Sequence, residues 1–135
     1  MTRFLLEDPV LKFTCWVPGK PVPKKRVRFG KAAYTPKSQR AAEDRFKQVA
    51  WKFVEQQGWI GHPWEGPISM RVYFLYNQPK DYNRAGDIDN LLKTVMDGLQ
   101  PLLFKDDRQV VLIDRILKAR HSRQGTFVVV NFHTP

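Results

Sequence analysis

The segment Gly86 to Val111, GDIDNLLKTVMDGLQPLLFKDDRQVV, gathers Asp87, Asp89, Asp97, Asp106 and Asp107 in a chain whose formal net charge is +10. Carboxylates repel one another and lose hydration when they converge. Something positive must offset that: a lysine of the chain, a bound cation, or both. Alternation in an extended segment points Asp87 and Asp89 the same way, so two carboxylates can converge on one point ahead of a helix. Either can cap that helix, but capping accounts for one aspartate and not for the set. Lys93 follows Asp89 by four residues and Asp97 follows Lys93 by four, which places all three on one helix face. Read as surface ion pairs, they contribute only ~0.3–0.5 kcal/mol each. Read as part of a site, Lys93 faces a substrate phosphate, where it stabilises developing charge or moves a proton.

Asp106 and Asp107 come next, at the expected start of the following strand. If the chain doubles back after the helix, Asp87, Asp89 and one of Asp106 or Asp107 form an oxygen-only cluster. Few, hard, anionic oxygens suit Mg²⁺, with Mn²⁺ as a substitute. Such a cation relieves the repulsion and polarises a phosphodiester for attack by water. Other chemistries fit poorly. A calcium loop beginning at Asp87 would need a ligand at Leu91, glycine at Leu92 and glutamate at Gly98. His62, His121 and His133 lack the close spacing of zinc ligands, and Cys15 stands alone. There is no phosphate-binding glycine loop and no local support for a Ser or Cys nucleophile.

The elements that must position these residues follow from periodicity. Val10 to Val17 reads as a strand. Thr35 offers an N-cap with Pro36 at the first helical position, and Ala42, Phe46, Val49, Ala50, Phe53 and Val54 recur at helical spacing up to a stop at Gly58. GWIGHPWEGP is a loop, with Trp59 and Trp64 against the edge of the core. Ile68 to Tyr76 alternates as a second strand. Leu91 or Leu92, Val95, Met96 and Leu99 mark a short second helix, ending near Gly98, which weakens a helix by about 1 kcal/mol relative to alanine. Val110 to Lys118 and Thr126 to Phe132 read as strands, joined by HSRQG as a hairpin connection. The order β-α-β-α-β-β implies an α/β fold: one domain over residues 1–135, a small two-layer sandwich with a mixed sheet of about four strands and two main helices.

The charge is not evenly spread. Pro9 to Arg40 holds no acid and includes Lys20, Lys24, Lys25, Arg26, Arg28, Lys31 and Lys37. VPGKPVPKKRVRFGKAAYTP is Pro- and Gly-rich and reads as an extended ribbon, with Phe29 and Tyr34 interleaved among the bases. Cations meet phosphates and flat apolar faces meet unstacked bases, so these lysines and arginines are the candidate nucleic-acid contacts. A pI near 10.0 points the same way. The single cysteine excludes an internal disulfide. The N-terminal sequence has no sustained apolar core, and no run approaches a membrane span, so the expected setting is cytoplasmic, with no membrane partner. A basic protein with a carboxylate cluster reads most economically as a metal-dependent nuclease.

The acidic segment resembles the RusA family of Holliday junction resolvases, whose pattern D-x-D-N-L-x-K-x-x-x-D-A-L, a short loop and D-D-x-Q-V is matched at Asp87, Asp89, Asn90, Leu91, Lys93, Asp97, Leu99, Asp106, Asp107, Gln109 and Val110. GKPVPKKRVRF and AYTPKSQRAAED resemble the ribbon and helix of one branch of that family. The resemblance implies a bacterial or phage-encoded homodimeric, Mg²⁺-dependent endodeoxyribonuclease that resolves four-way DNA junctions by paired symmetric nicks. It implies Asp87, Asp89 and Asp107 as catalytic metal ligands and Lys93 as the essential lysine. Gly86 and Gly98 depart from the proline and alanine of many members. The alternatives are a non-catalytic junction or single-strand DNA-binding protein, and a metal-dependent flap nuclease or RNase. The carboxylate cluster argues against the first, since a pure phosphate binder gains nothing from acids beside its groove.

Overall fold

Alternation decides the sheet. In the computed structural model, which describes residues 6–24, 37–59, 61–78 and 87–135, the elements are β1 (Pro9–Pro18), α1 (Lys37–Gln56), β2 (Ile68–Tyr76), α2 (Ile88–Leu99), a single 3₁₀ turn (Asp107–Gln109), β3 (Val110–Arg120) and β4 (Gly125–His133). Ile68, Met70, Val72, Phe74 and Tyr76 on β2 and Val128, Val130 and Phe132 on β4 are at most 1% exposed. Strands this apolar on one face belong inside a sheet. The observed order is β1-β4-β2-β3, with β2 and β4 in the middle. Both helices pack on the face that these residues form, and Phe46, Ala50 and Val54 of α1 join Leu91, Val95 and Leu99 of α2 in one core. The result is the expected two-layer α/β sandwich.

The connection between β3 and β4 differs from expectation. HSRQG does not close a hairpin, because β3 pairs with β2 in parallel and β4 pairs with β2 and β1 antiparallel. A parallel pair needs a crossover, and α2 is that crossover. It commits β3 to one side of β2 and leaves the other side to β4. β3 becomes an edge strand, and Val111, Leu112, Ile113 and Leu117 are exposed along it. Short-range sequence shows two strands and a tight link, but not which neighbour each strand takes.

α1 stops as Gly58 requires. Its φ is +82°, and the bonds Trp59 N–H to Val54 C=O and Gly58 N–H to Glu55 C=O close the last turn. Thr35 and Pro36, the expected start of this helix, lie outside the described residues. Gln57 then ties the helix end to β1: its Nε2 donates to the Thr14 carbonyl at 2.8 Å. Trp59 and Trp64 pack on Phe132, as a core edge requires. Cys15 is 1% exposed, and burial pushes its thiol up to about 12. No described helix is long and apolar enough to cross a membrane.

α2 ends near Gly98, as expected: its last residue is Leu99, and Gly98 is buried where the two helices meet. A Cβ there would stand 2.8 Å from ring atoms of Phe46, and the Trp51 indole donates to the Gly98 carbonyl at 2.8 Å. The glycine is a contact surface. Gly98→Ala should therefore lower the thermal midpoint, because overpacking costs ~1–3 kcal/mol against a propensity gain of ~1 kcal/mol. In a Phe46→Leu background the same substitution should become neutral or stabilising. Calorimetry on the four proteins checks both signs.

Candidate active site

α2 begins at Ile88, with Asp87 at its N-cap position in extended conformation (φ −76°, ψ 150°) and no side-chain capping bond. The helix starts without recruiting that carboxylate, so capping does not explain it. Asp89 lies in the first turn. Both side chains are exposed, and neither is engaged by another described residue.

Asp107 reaches the same helix. After Leu99 the chain turns through a cis Gln100–Pro101 peptide, and Leu103 N–H still bonds the Leu99 carbonyl at 2.9 Å. The chain has doubled back, bringing Asp107 Oδ2 to 3.4 Å from Lys93 Nζ. Gln100 Nε2, which also donates to the Met96 carbonyl, holds the other oxygen of Asp107. Gln100 is a contact that the sequence did not signal: its partner is seven residues away across a proline turn, a spacing that belongs to no regular element.

Asp106 and Asp107 do not open β3 as expected. They begin the 3₁₀ turn ahead of it, and there they part company. Asp106 caps the turn, accepting from Arg108 N–H at 2.8 Å and pairing with the Arg108 guanidinium. The Arg108 side chain, then its backbone N–H, hold the Asp106 carboxyl below the usual carboxylate range. Gln109 completes the turn. Its Oε1 accepts from Lys105 N–H and Asp106 N–H, and its Nε2 donates to the Trp64 and Gly66 carbonyls, all at 2.7–3.0 Å. Asp106 thus serves its own turn while Asp107 faces α2.

The remaining acid, Asp97, lies between two lysines. Its Oδ1 is 3.9 Å from Lys93 Nζ and its Oδ2 is 3.3 Å from Lys24 Nζ. Lys24 also pairs with Glu43 of α1 at 3.5 Å, and its backbone N–H donates to the Asn90 carbonyl of α2 at 2.9 Å. Of the other basic residues singled out in the sequence, Lys20 is exposed and Lys37 opens α1. Lys25, Arg26, Arg28 and Lys31 lie outside the described residues, as do Phe29 and Tyr34.

The crowding of acids is therefore offset in part within the chain: Arg108 neutralises Asp106, Lys93 stands between Asp97 and Asp107, and Lys24 stands between Asp97 and Glu43. Asp87 and Asp89 are left over. Among the described residues no group of three or more His, Cys, Asp or Glu side chains is drawn together closely enough to hold an ion. The donor chemistry nevertheless fits a hard divalent cation, with two uncommitted carboxylates at one helix end and a third on the neighbouring turn.

The description Endodeoxyribonuclease RusA matches residues 18–131. No curated protein sequence matches the chain. The matched span runs from the end of β1 almost to the end of β4 and takes in α2, the 3₁₀ turn and every acid discussed above. With that much of its length covered, the chain belongs to the RusA family of endodeoxyribonucleases.

Proposed function

We propose that this chain, a member of a family that acts on junction DNA, resolves Holliday junctions as a homodimer by Mg²⁺-dependent hydrolysis that leaves paired symmetric nicks. The observation that carries the reading is the pair Asp87 and Asp89, exposed and uncommitted at the start of α2, with Lys93 and Asp107 in contact beyond them. Surface acids that neither cap nor pair lower the affinity of a basic protein for DNA. Their presence makes sense where carboxylates serve the chemistry.

Asp87, Asp89 and Asp107 would hold Mg²⁺ or Mn²⁺. When bound, that ion supplies charge neutralisation at the phosphate and a more acidic water. The chain's own groups do the rest. Lys93, about half exposed and held between Asp97 and Asp107, is placed to meet a phosphate oxygen and to stabilise the charge that builds there. Gln100 fixes the Asp107 carboxylate from behind. The clamp made by Gln109 keeps the turn at a constant distance from the sheet.

Symmetric nicking of a four-way junction needs two equivalent sites, which a two-fold dimer provides. An edge strand with four exposed large apolar residues supports a self-associating chain. A bacterial or phage source and a cytoplasmic setting complete the reading. Sedimentation equilibrium returning a single 15.8 kDa species at micromolar concentration would remove the dimer from it.

With a synthetic four-way junction and Mg²⁺, the wild type should give paired nicks. Asp89→Asn should lose at least about a hundredfold in cleavage, the scale of losing a catalytic group, while binding the junction in EDTA as tightly or slightly more so. Full-rate cleavage by Asp89→Asn would sink the site assignment, and tight binding with no cut under Mg²⁺ or Mn²⁺ would make the chain a binding protein. Without DNA, saturating Mn²⁺ should raise the thermal midpoint, since an ion at a hundred times its Kd stabilises by roughly 2.7 kcal/mol. The rise should vanish in Asp87→Asn and in Asp89→Asn. An equal rise in all three proteins would place the ion elsewhere.

A further inference from the structure

Lys24 stands in the middle of the acid-free segment and reads from sequence as a phosphate contact. In the structure it also has acidic partners of its own. Its ammonium is shared by Glu43 and Asp97, on two different helices. Its backbone is fixed to α2 through the Asn90 carbonyl. The Glu43 side chain is only 15% exposed, and its Oε1 has no hydrogen-bond partner among the described residues. Among the described residues, the ion pair with Lys24 is what offsets that half-buried charge. A lysine drawn away to a DNA phosphate would leave Glu43 uncompensated in a poorly hydrated position, which costs far more than an exposed pair is worth.

Asp97 relays this arrangement to Lys93. A carboxylate with a single cation beside it collapses onto that cation. With Lys24 on its Oδ2 at 3.3 Å, Asp97 keeps Lys93 at 3.9 Å, the looser of its two contacts. Lys93 therefore stays in reach of Asp107 at 3.4 Å and of whatever phosphate arrives there. Remove Lys24 and Asp97 has one partner left among the described residues. Lys93 is then drawn about 1 Å closer to Asp97, at the expense of its contact with Asp107. We infer that Lys24 is a positioning residue: through Asp97 it sets the place of Lys93, and it is not one of the DNA contacts of the basic segment.

This inference rests on the junction-nuclease reading for its kinetic consequence, but the coupling itself can be measured without metal or cleavage. Five proteins are compared: wild type, Lys24→Gln, Asp97→Asn, the double variant, and Lys24→Arg as the conservative control. In EDTA, Lys24→Gln should bind a four-way junction within about twofold of wild type, whereas loss of a phosphate contact weakens binding and lowers the salt slope by about one. Thermal midpoints of the metal-free proteins should be non-additive, because the two side chains touch. With Mg²⁺ and saturating junction, Lys24→Gln should lose about tenfold in kcat with little change in KM. Lys24→Arg should recover most of it, and the double variant should be no slower than the slower single variant. Weaker junction binding by Lys24→Gln with kcat intact overturns the inference, as do additive midpoints or additive rate losses. If the wild type itself does not cut, the nuclease reading fails, while the EDTA binding and melting cycles still decide whether Lys24 is an anchor or a DNA contact.

Discussion

Lys93 and Asp107 are fourteen residues apart in the chain and 3.4 Å apart in space, and the rest of the site depends on that contact. It exists because β3 must run parallel to β2. A parallel neighbour cannot be reached by a tight turn, so the chain has to travel back over the sheet through α2 and then reverse again. The second reversal carries Asp107 alongside the helix it has just left. Topology thus supplies what sequence spacing cannot: an acid from outside the helix set against a lysine on its face. Neither group is deeply buried, so the contact stays open to a polyanion.

The helix face itself was legible from sequence. Asp89, Lys93 and Asp97 recur at four-residue steps, and a helix of that length was marked by Leu91, Val95 and Leu99. Both internal strands were readable because each is apolar on one face throughout. The two-layer architecture followed from element order. What escaped was relational. HSRQG looked like a hairpin because strand direction and pairing are different facts, and local residues report only the first. Gly98 looked like a weak point because propensity is blind to the ring of Phe46 packed against it. The acidic partners of Lys24 come from residues 43 and 97, too far off in sequence to be foreseen.

The paired acids Asp106 and Asp107 illustrate how one dipeptide divides its labour. In sequence they are equivalent. In the fold, a 3₁₀ turn rotates successive side chains by about a third of a circle, so one carboxylate falls back on its own backbone and the other swings toward α2. Arg108 and Gln109 reinforce the difference by engaging Asp106 and its amide.

Gln109 fastens backbone groups at Trp64, Gly66, Lys105 and Asp106 with one side chain. Two of these lie just ahead of β2 and two just ahead of the turn, so a single amide spans the gap between the loop before one strand and the loop before its neighbour. That makes this corner a rigid hub. The approach to it is fixed too: Leu103 and Phe104 are buried, the Leu103 carbonyl accepts from Trp64 N–H, and Gln100 holds Asp107. An inserted residue anywhere from Gln100 to Gln109 would slide Asp107 out of register with Lys93. The stretch between α2 and β3 therefore acts as one measured spacer, and its length, more than any one side chain in it, sets where Asp107 arrives.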